Sequence, residues 1–177
     1  MINTTKLIQI CGYSNSGKTT LVNKIVSKFA QENKRVLTIK HHGHGTKPTV
    51  VENKDSSSHI INGAIGSLVE GEGRILLQLE DGVKTLEQQI KMATFFNPDL
   101  ILIEGHKRER YPKVLIIRKK EELGLVQNLT NIQLVIVWEE YFKDLINEKI
   151  KVLSIKQEEE LINEIESIIH LNEVNNQ

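Results

Sequence analysis

The chain has 177 residues, enough for one α/β domain with a proper core. Lysines and arginines number 23 and so do aspartates and glutamates, so the zero formal net charge gives no sign of bulk electrostatic binding to nucleic acid or an anionic membrane and leaves room only for a local basic patch. The single cysteine, Cys11, excludes an internal disulfide and fits a reducing compartment. No apolar stretch is long enough to cross a bilayer, and the N-terminus lacks a signal-peptide pattern, so a cytoplasmic location is expected.

In chain order, Leu7–Cys11 reads as a short buried strand. Thr20–Ala30 follows as a helix, with Leu21, Val22, Ile25, Val26 and Phe29 at helical spacing. Arg35–Lys40 is a second strand that ends at the polar turn His41–Pro48. Residues 46–58 read as a mobile polar loop, and Ser57–Gly66 as a short helix. Ser67–Val69 and Arg74–Leu79 flank Glu70-Gly71-Glu72-Gly73, which predicts a hairpin. Thr85–Phe96 is a helix that stops before Asn97-Pro98. Leu100–Ile103 is a continuous apolar run, as a central parallel strand requires. Val114–Ile117, Leu134–Val137 and Lys151–Leu153 are further strands, with helices at Glu139–Asn147 and Gln157–His170. Strands interleaved with helices predict an α/β fold: a mostly parallel sheet with helices on both faces and a β-hairpin insertion. A single domain is expected over residues 1–171, with a polar tail at 172–177.

Between the first strand and the first helix stands Gly12-Tyr13-Ser14-Asn15-Ser16-Gly17-Lys18-Thr19. It meets the phosphate-loop pattern G-x-x-x-x-G-K-[ST] at every fixed position, in the strand–loop–helix context that pattern needs. Glycines let the backbone wrap a triphosphate, and loop amides and the helix N-terminus point positive dipoles at it. Residues Gly12 to Thr20 are therefore the candidate nucleotide-binding segment. Lys18 is placed to reach the outer phosphates, and the Thr19 hydroxyl to hold Mg²⁺.

Such a site needs a second acid for the metal at the end of a buried strand. Glu104 closes the run Leu100–Ile103, and Gly105 permits close backbone approach. The competitor is Glu80-Asp81-Gly82, after the alternating Leu77-Gln78-Leu79; Glu104 is favoured because its strand is continuously apolar. Asp55 can position the attacking water or a Mg²⁺ water, or serve as a turn or helix cap. His41, His42 and His44 can bind Zn²⁺ or Ni²⁺, contact a phosphate or partner, or form a solvated turn. Lys107, Arg108 and Arg110 can stabilise phosphoryl charge or lie on a charged surface turn. Cys11 reads as a small buried residue rather than a nucleophile. No N-K-x-D guanine-reading motif is present, since Asn53-Lys54-Asp55 is one residue too short, so the motifs alone do not choose GTP over ATP.

Taken in order, these pieces resemble the molybdopterin-guanine dinucleotide biosynthesis protein B (MobB) family, from Lys6 to about Arg118. The resemblance rests on Gly12–Thr20, Thr38–His44, Lys54-Asp55-Ser56 through Asn62-Gly63-Ala64, and Leu100–Lys107 followed by Pro112-Lys113. It implies a GTP-binding accessory protein of molybdenum-cofactor synthesis, a weak GTPase and homodimer acting beside the MobA-type guanylyltransferase that joins GMP to molybdopterin. By the same resemblance, Gly12–Thr20 hold the triphosphate and Glu104 the Mg²⁺. The chain departs from the family at the glycine-rich turn with Gly43 and Gly45, at Asn62 where alanine is usual, and at His106 where an aromatic is common. Competing classes are a nickel-enzyme maturation GTPase, for which a His-rich tail is missing, and a small-molecule kinase, for which no arginine-bearing lid is apparent.

Overall fold

The computed structural model describes residues 5–43, 48, 55–80 and 84–172. These divide into two compact units: Met1–His41 with Ile90–Gln177, and His42–Gln89. The predicted hairpin lies in the second.

The first unit is built on a six-stranded sheet. Its strands are β1 (Lys6–Cys11), β2 (Val36–Lys40), β5 (Leu100–Glu104), β6 (Lys113–Ile117), β7 (Ile132–Val137) and β8 (Lys151–Ser154). The spatial order is β2-β5-β1-β6-β7-β8, and every pairing is parallel. The chain passes from β5 on one side of β1 to β6 on the other. Such a reversal leaves a crevice at the carboxyl ends of the strands, where open α/β sheets bind ligands.

A period of two divides the sheet's apolar side chains between two cores. Ile8 and Ile10 of β1, Leu100 and Leu102 of β5, Val114 and Ile116 of β6, and Leu134 and Ile136 of β7 join one cluster. Helices α1 (Lys18–Gln31) and α5 (Glu158–Leu171) complete it. α1 buries Leu21, Val22, Ile25 and Phe29, and α5 buries Leu161, Ile165, Ile168 and Ile169, each an apolar stripe of helical period. Cys11, Leu115, Ile117, Val135 and Val137 point the other way, onto Leu125, Phe142 and Ile146.

That second core rests on short elements the periodicity does not announce. Leu125 comes from α4 (Gly124–Asn128), which follows a 3₁₀ turn at Lys120–Glu122. The helix expected over Glu139–Asn147 is a 3₁₀ segment, Glu140–Leu145. Its bonds run three residues back, from Phe142 to Glu139 and, just beyond, from Ile146 to Lys143. The tighter winding buries both Phe142 and Ile146.

The loop from β5 to β6 is pinned by Lys113, whose side chain is fully buried. Its ammonium donates to the carbonyls of Glu109 at 2.7 Å, Tyr111 at 3.0 Å and Thr130 at 2.5 Å. Burial lowers its pKa. The Pro112-Lys113 pair thus fixes the path of the chain just beyond Glu104.

In the second unit, α2 (Asp55–Ile61) starts two residues earlier than predicted, so Asp55–Ser58 are helical rather than loop. β3 (Gly66–Gly71) pairs antiparallel with β4 (Arg74–Leu79). Glu72 and Gly73 turn between them with φ of 49° and 77°, the positive pair a tight hairpin favours. Leu68, Val69, Ile75, Leu76, Leu77 and Leu79 of this hairpin are all exposed. α3 (Leu86–Thr94) is shorter than predicted. At its start Thr85 Oγ1 accepts from the Gln88 amide, and Gln88 Oε1 accepts from the Thr85 amide, so Thr85 is a cap and not the first helical residue. No helix among the described residues is long and apolar enough to cross a membrane.

Candidate functional site

Gly12 leaves β1 with φ of 152°. A Cβ there would meet Ser16 Oγ at 2.6 Å and the Ile116 carbonyl at 2.8 Å, so the loop closes only around glycine. Tyr13, Ser14 and Asn15 are exposed, and Asn15 turns the chain with φ of 60°. Ser16 is fully buried, and its hydroxyl has no hydrogen-bond partner among the described residues. Gly17 caps α1 in the left-handed region, φ 99°, and brings no side-chain cap to the helix. The first-turn amides of α1, Lys18, Thr19 and Thr20 among them, therefore keep their donors facing the loop.

Two side chains beyond the predicted motif brace this loop. Trp138, the first residue past β7, donates its indole N–H to the Ser16 carbonyl at 2.9 Å. Arg118, the first residue past β6, donates to the Asn15 carbonyl at 2.6 Å and lays its guanidinium 4.7 Å from the centre of the Trp138 ring. Both follow parallel strands on the same side of β1, so their position is legible in the strand order and not in any motif.

Lys18 Nζ donates to the Tyr13 carbonyl at 2.6 Å. Burial lowers its pKa, the nearby Glu104 carboxylate opposes this, and Lys40 adds to it. Thr19 Oγ1 donates to Glu104 Oε1 at 2.9 Å. The predicted hydroxyl and the predicted carboxylate are thus in contact, across 85 residues of sequence. Lys40 Nζ joins the same Glu104 oxygen at 2.9 Å and Thr19 Oγ1 at 3.1 Å. Lys107 holds its ammonium 4.2 Å from the centre of the Tyr13 ring.

Beyond Glu104, Gly105 takes φ of 96°, and a Cβ there would stand 3.0 Å from that of His41. The His41 and His106 rings lie 4.7 Å apart. Burial first, then His41, lowers the His106 pKa, so the ring is neutral at pH 7. His42 falls in the second unit and His44 outside the described residues. No group of three or more His, Cys, Asp or Glu side chains able to hold a metal occurs among the described residues. Arg108 and Arg110 are exposed. Asp55 opens α2 of the second unit, and its side chain, like Asp81, lies outside what is described. Glu80, also in the second unit, accepts from Gln78 at 3.1 Å within the hairpin.

Three features of the loop fit a Mg²⁺-bound triphosphate: a backbone that closes only around Gly12, a buried hydroxyl without a partner among the described residues, and oxygen donors on Thr19 and Glu104 suited to a hard cation.

Cys11 lies under this site with its thiol 3.4 Å from the Gly105 carbonyl. Burial pushes its pKa up from 9.0 to about 11. Between those values the folded chain keeps a proton that the unfolded chain has lost, so raising the pH favours unfolding. Relative to Cys11→Ala, the parent chain should lose about 1 kcal/mol of stability between pH 8 and pH 10, read from urea midpoints. Parallel losses in the two proteins would contradict the burial account.

Residues 7–138 match the family model described as Molybdopterin guanine dinucleotide synthesis protein B. The Bacillus subtilis protein named probable molybdopterin-guanine dinucleotide biosynthesis adapter protein is 36% identical over 130 residues, 73% of this chain and 75% of that one. The molybdopterin-guanine dinucleotide biosynthesis adapter protein of Haemophilus influenzae is 33% identical over 124 residues, 68% of this chain and 67% of that one. The crystal structure of the MobB protein homolog from Bacillus stearothermophilus superposes with a TM-score of 0.74 at 31% identity, covering 94% of this chain and 99% of that one. The hydrogenase maturation factor HypB from Archaeoglobus fulgidus, at TM-score 0.51 and 15% identity, shares the fold alone.

Proposed function

The chain belongs to the molybdopterin guanine dinucleotide synthesis protein B family, and we propose that it acts there as a GTP-binding adapter that assists a MobA-type guanylyltransferase in joining GMP to molybdopterin. The observation that carries this reading is the contact of Thr19 with Glu104 beside a loop that only glycines allow. In this reading residues 1–171 form one nucleotide-binding domain and the second unit is an insertion within it.

The chain's own residues divide the work. The amides of the Gly12–Gly17 loop and of the first turn of α1 bind the phosphates. Lys18 leaves the Tyr13 carbonyl to neutralise charge on the outer phosphates. Thr19 and Glu104 would hold Mg²⁺, which when bound would neutralise charge on the outer phosphates. Trp138 and Arg118 keep the loop open from behind by fixing the Ser16 and Asn15 carbonyls. Hydrolysis by the chain alone is slow, because a partner or a second subunit must first supply a group that positions the attacking water.

The exposed hairpin supports the homodimer. A two-stranded sheet is marginal by itself, and here its apolar side chains face solvent. Light scattering on size-exclusion fractions tests both association claims. The chain alone should run at twice its monomer mass, and it should co-elute with the guanylyltransferase of the same organism when Mg²⁺-GTP is present. A monomer would remove the dimer, and absence of co-elution in every nucleotide state would remove the adapter reading.

A further inference from the structure

Lys40 is the last residue of β2 and the register neighbour of Glu104 at the end of β5. Adjacent parallel strands bring the two side chains out at the same height, at the edge of the phosphate loop. Lys40 Nζ lies 2.9 Å from Glu104 Oε1 and 3.1 Å from Thr19 Oγ1. Thr19 Oγ1 in turn donates to that same carboxylate oxygen at 2.9 Å. Ammonium, hydroxyl and carboxylate thus close a triangle on one oxygen.

An ordinary surface ion pair joins two solvated groups and contributes little. Here the carboxylate side chain is 10% exposed, while the lysine side chain is 58% exposed. The buried partner depends on the exposed one. The ammonium also faces the two oxygens that a divalent cation would use, and a hard cation and an ammonium cannot share them at contact distance.

Building on the nucleotide-site reading, we propose that Lys40 is a tethered stand-in for the divalent cation. Without metal it holds the Thr19 hydroxyl and the Glu104 carboxylate in place, and it supplies the positive charge that the outer phosphates meet. When Mg²⁺ arrives with nucleotide, the ammonium yields those oxygens, and its exposed stem lets it withdraw into solvent. The chain therefore binds triphosphate even when metal is scarce, and metal and lysine act as alternatives. Lys40 is a positioning residue of the site that the phosphate-loop motif does not include. Lys107 is its natural control, an ammonium beside the same loop that rests on the Tyr13 ring.

The test is titration with fluorescent N-methylanthraniloyl-GTP of the parent chain, Lys40→Met and Lys107→Met, each in EDTA and in excess Mg²⁺, with melting temperatures as the folding control. Lys40→Met should weaken binding in EDTA by about tenfold or more and in Mg²⁺ by no more than about threefold, the loss of one charge-assisted contact that the metal replaces. Lys107→Met should change both affinities by a similar factor. Equal losses in the two conditions for Lys40→Met, no loss in EDTA, or the same metal-dependent loss in Lys107→Met would each overturn the proposal. A parent chain that binds in Mg²⁺ but not at all in EDTA overturns the stand-in alone. A parent chain that binds in neither condition overturns the nucleotide site itself.

Discussion

Lys18→Ala is expected to weaken GTP binding by about a hundredfold or more and to leave the fold intact. The two effects separate because Lys18 does different things in each state. In the structure its ammonium donates to the Tyr13 carbonyl at 2.6 Å in an exposed setting, a bond whose loss costs about 0.5–1.5 kcal/mol at most, because water replaces it. Against a triphosphate the same ammonium would make charge-assisted contacts inside a loop of converging amides. Removing one side of such a pair costs about 2–5 kcal/mol. The helix does not depend on it either, since α1 is anchored by Leu21, Val22, Ile25 and Phe29 in the core against the sheet. Calorimetric titration with Mg²⁺-GTP, beside a thermal melt, reads both quantities. A folded variant with unchanged affinity would remove the phosphate-loop assignment.

Much of this architecture is legible from local pattern. The apolar runs of β1, β5, β6 and β7 are buried on both faces, and continuous hydrophobicity is how such strands announce themselves. The stripes of α1 and α5 carry the helical period in full, and the phosphate-loop motif is local by nature. Glu104 could be picked over Glu80 for the same reason: its strand has no polar alternation, whereas the exposed hairpin strand has.

What was not legible is tertiary. The 3₁₀ segment at Glu140–Leu145 and the short α4 have no period to read, because each contributes a single buried apolar side chain, Phe142 and Leu125. Trp138 and Arg118 look like ordinary residues after a strand until the order β1-β6-β7 sets them behind the loop. Lys40 meets Glu104 only because β2 and β5 are neighbours, although 64 residues separate them in the chain. Each of these contacts is made by strand order, and no window along the sequence contains both partners.

The second large effect concerns the metal. Glu104→Gln keeps the shape of the side chain and one acceptor oxygen for Thr19, but it removes the charge that Mg²⁺ would face. The Mg²⁺ concentration needed for half-maximal GTP binding should rise by about tenfold or more. The change should also release Lys40 from its ion pair, so binding in EDTA should fall far less. Glu80 accepts from Gln78 within the hairpin and touches none of the phosphate-loop residues through that bond, so Glu80→Gln should leave the Mg²⁺ requirement within about twofold of the parent. The most direct measurement is therefore the Mg²⁺ dependence of GTP affinity for the parent chain and these two variants side by side. A site built on the phosphate loop and β5 predicts a large shift for Glu104→Gln and none of consequence for Glu80→Gln. The reverse ranking would move the metal to the hairpin and contradict the account.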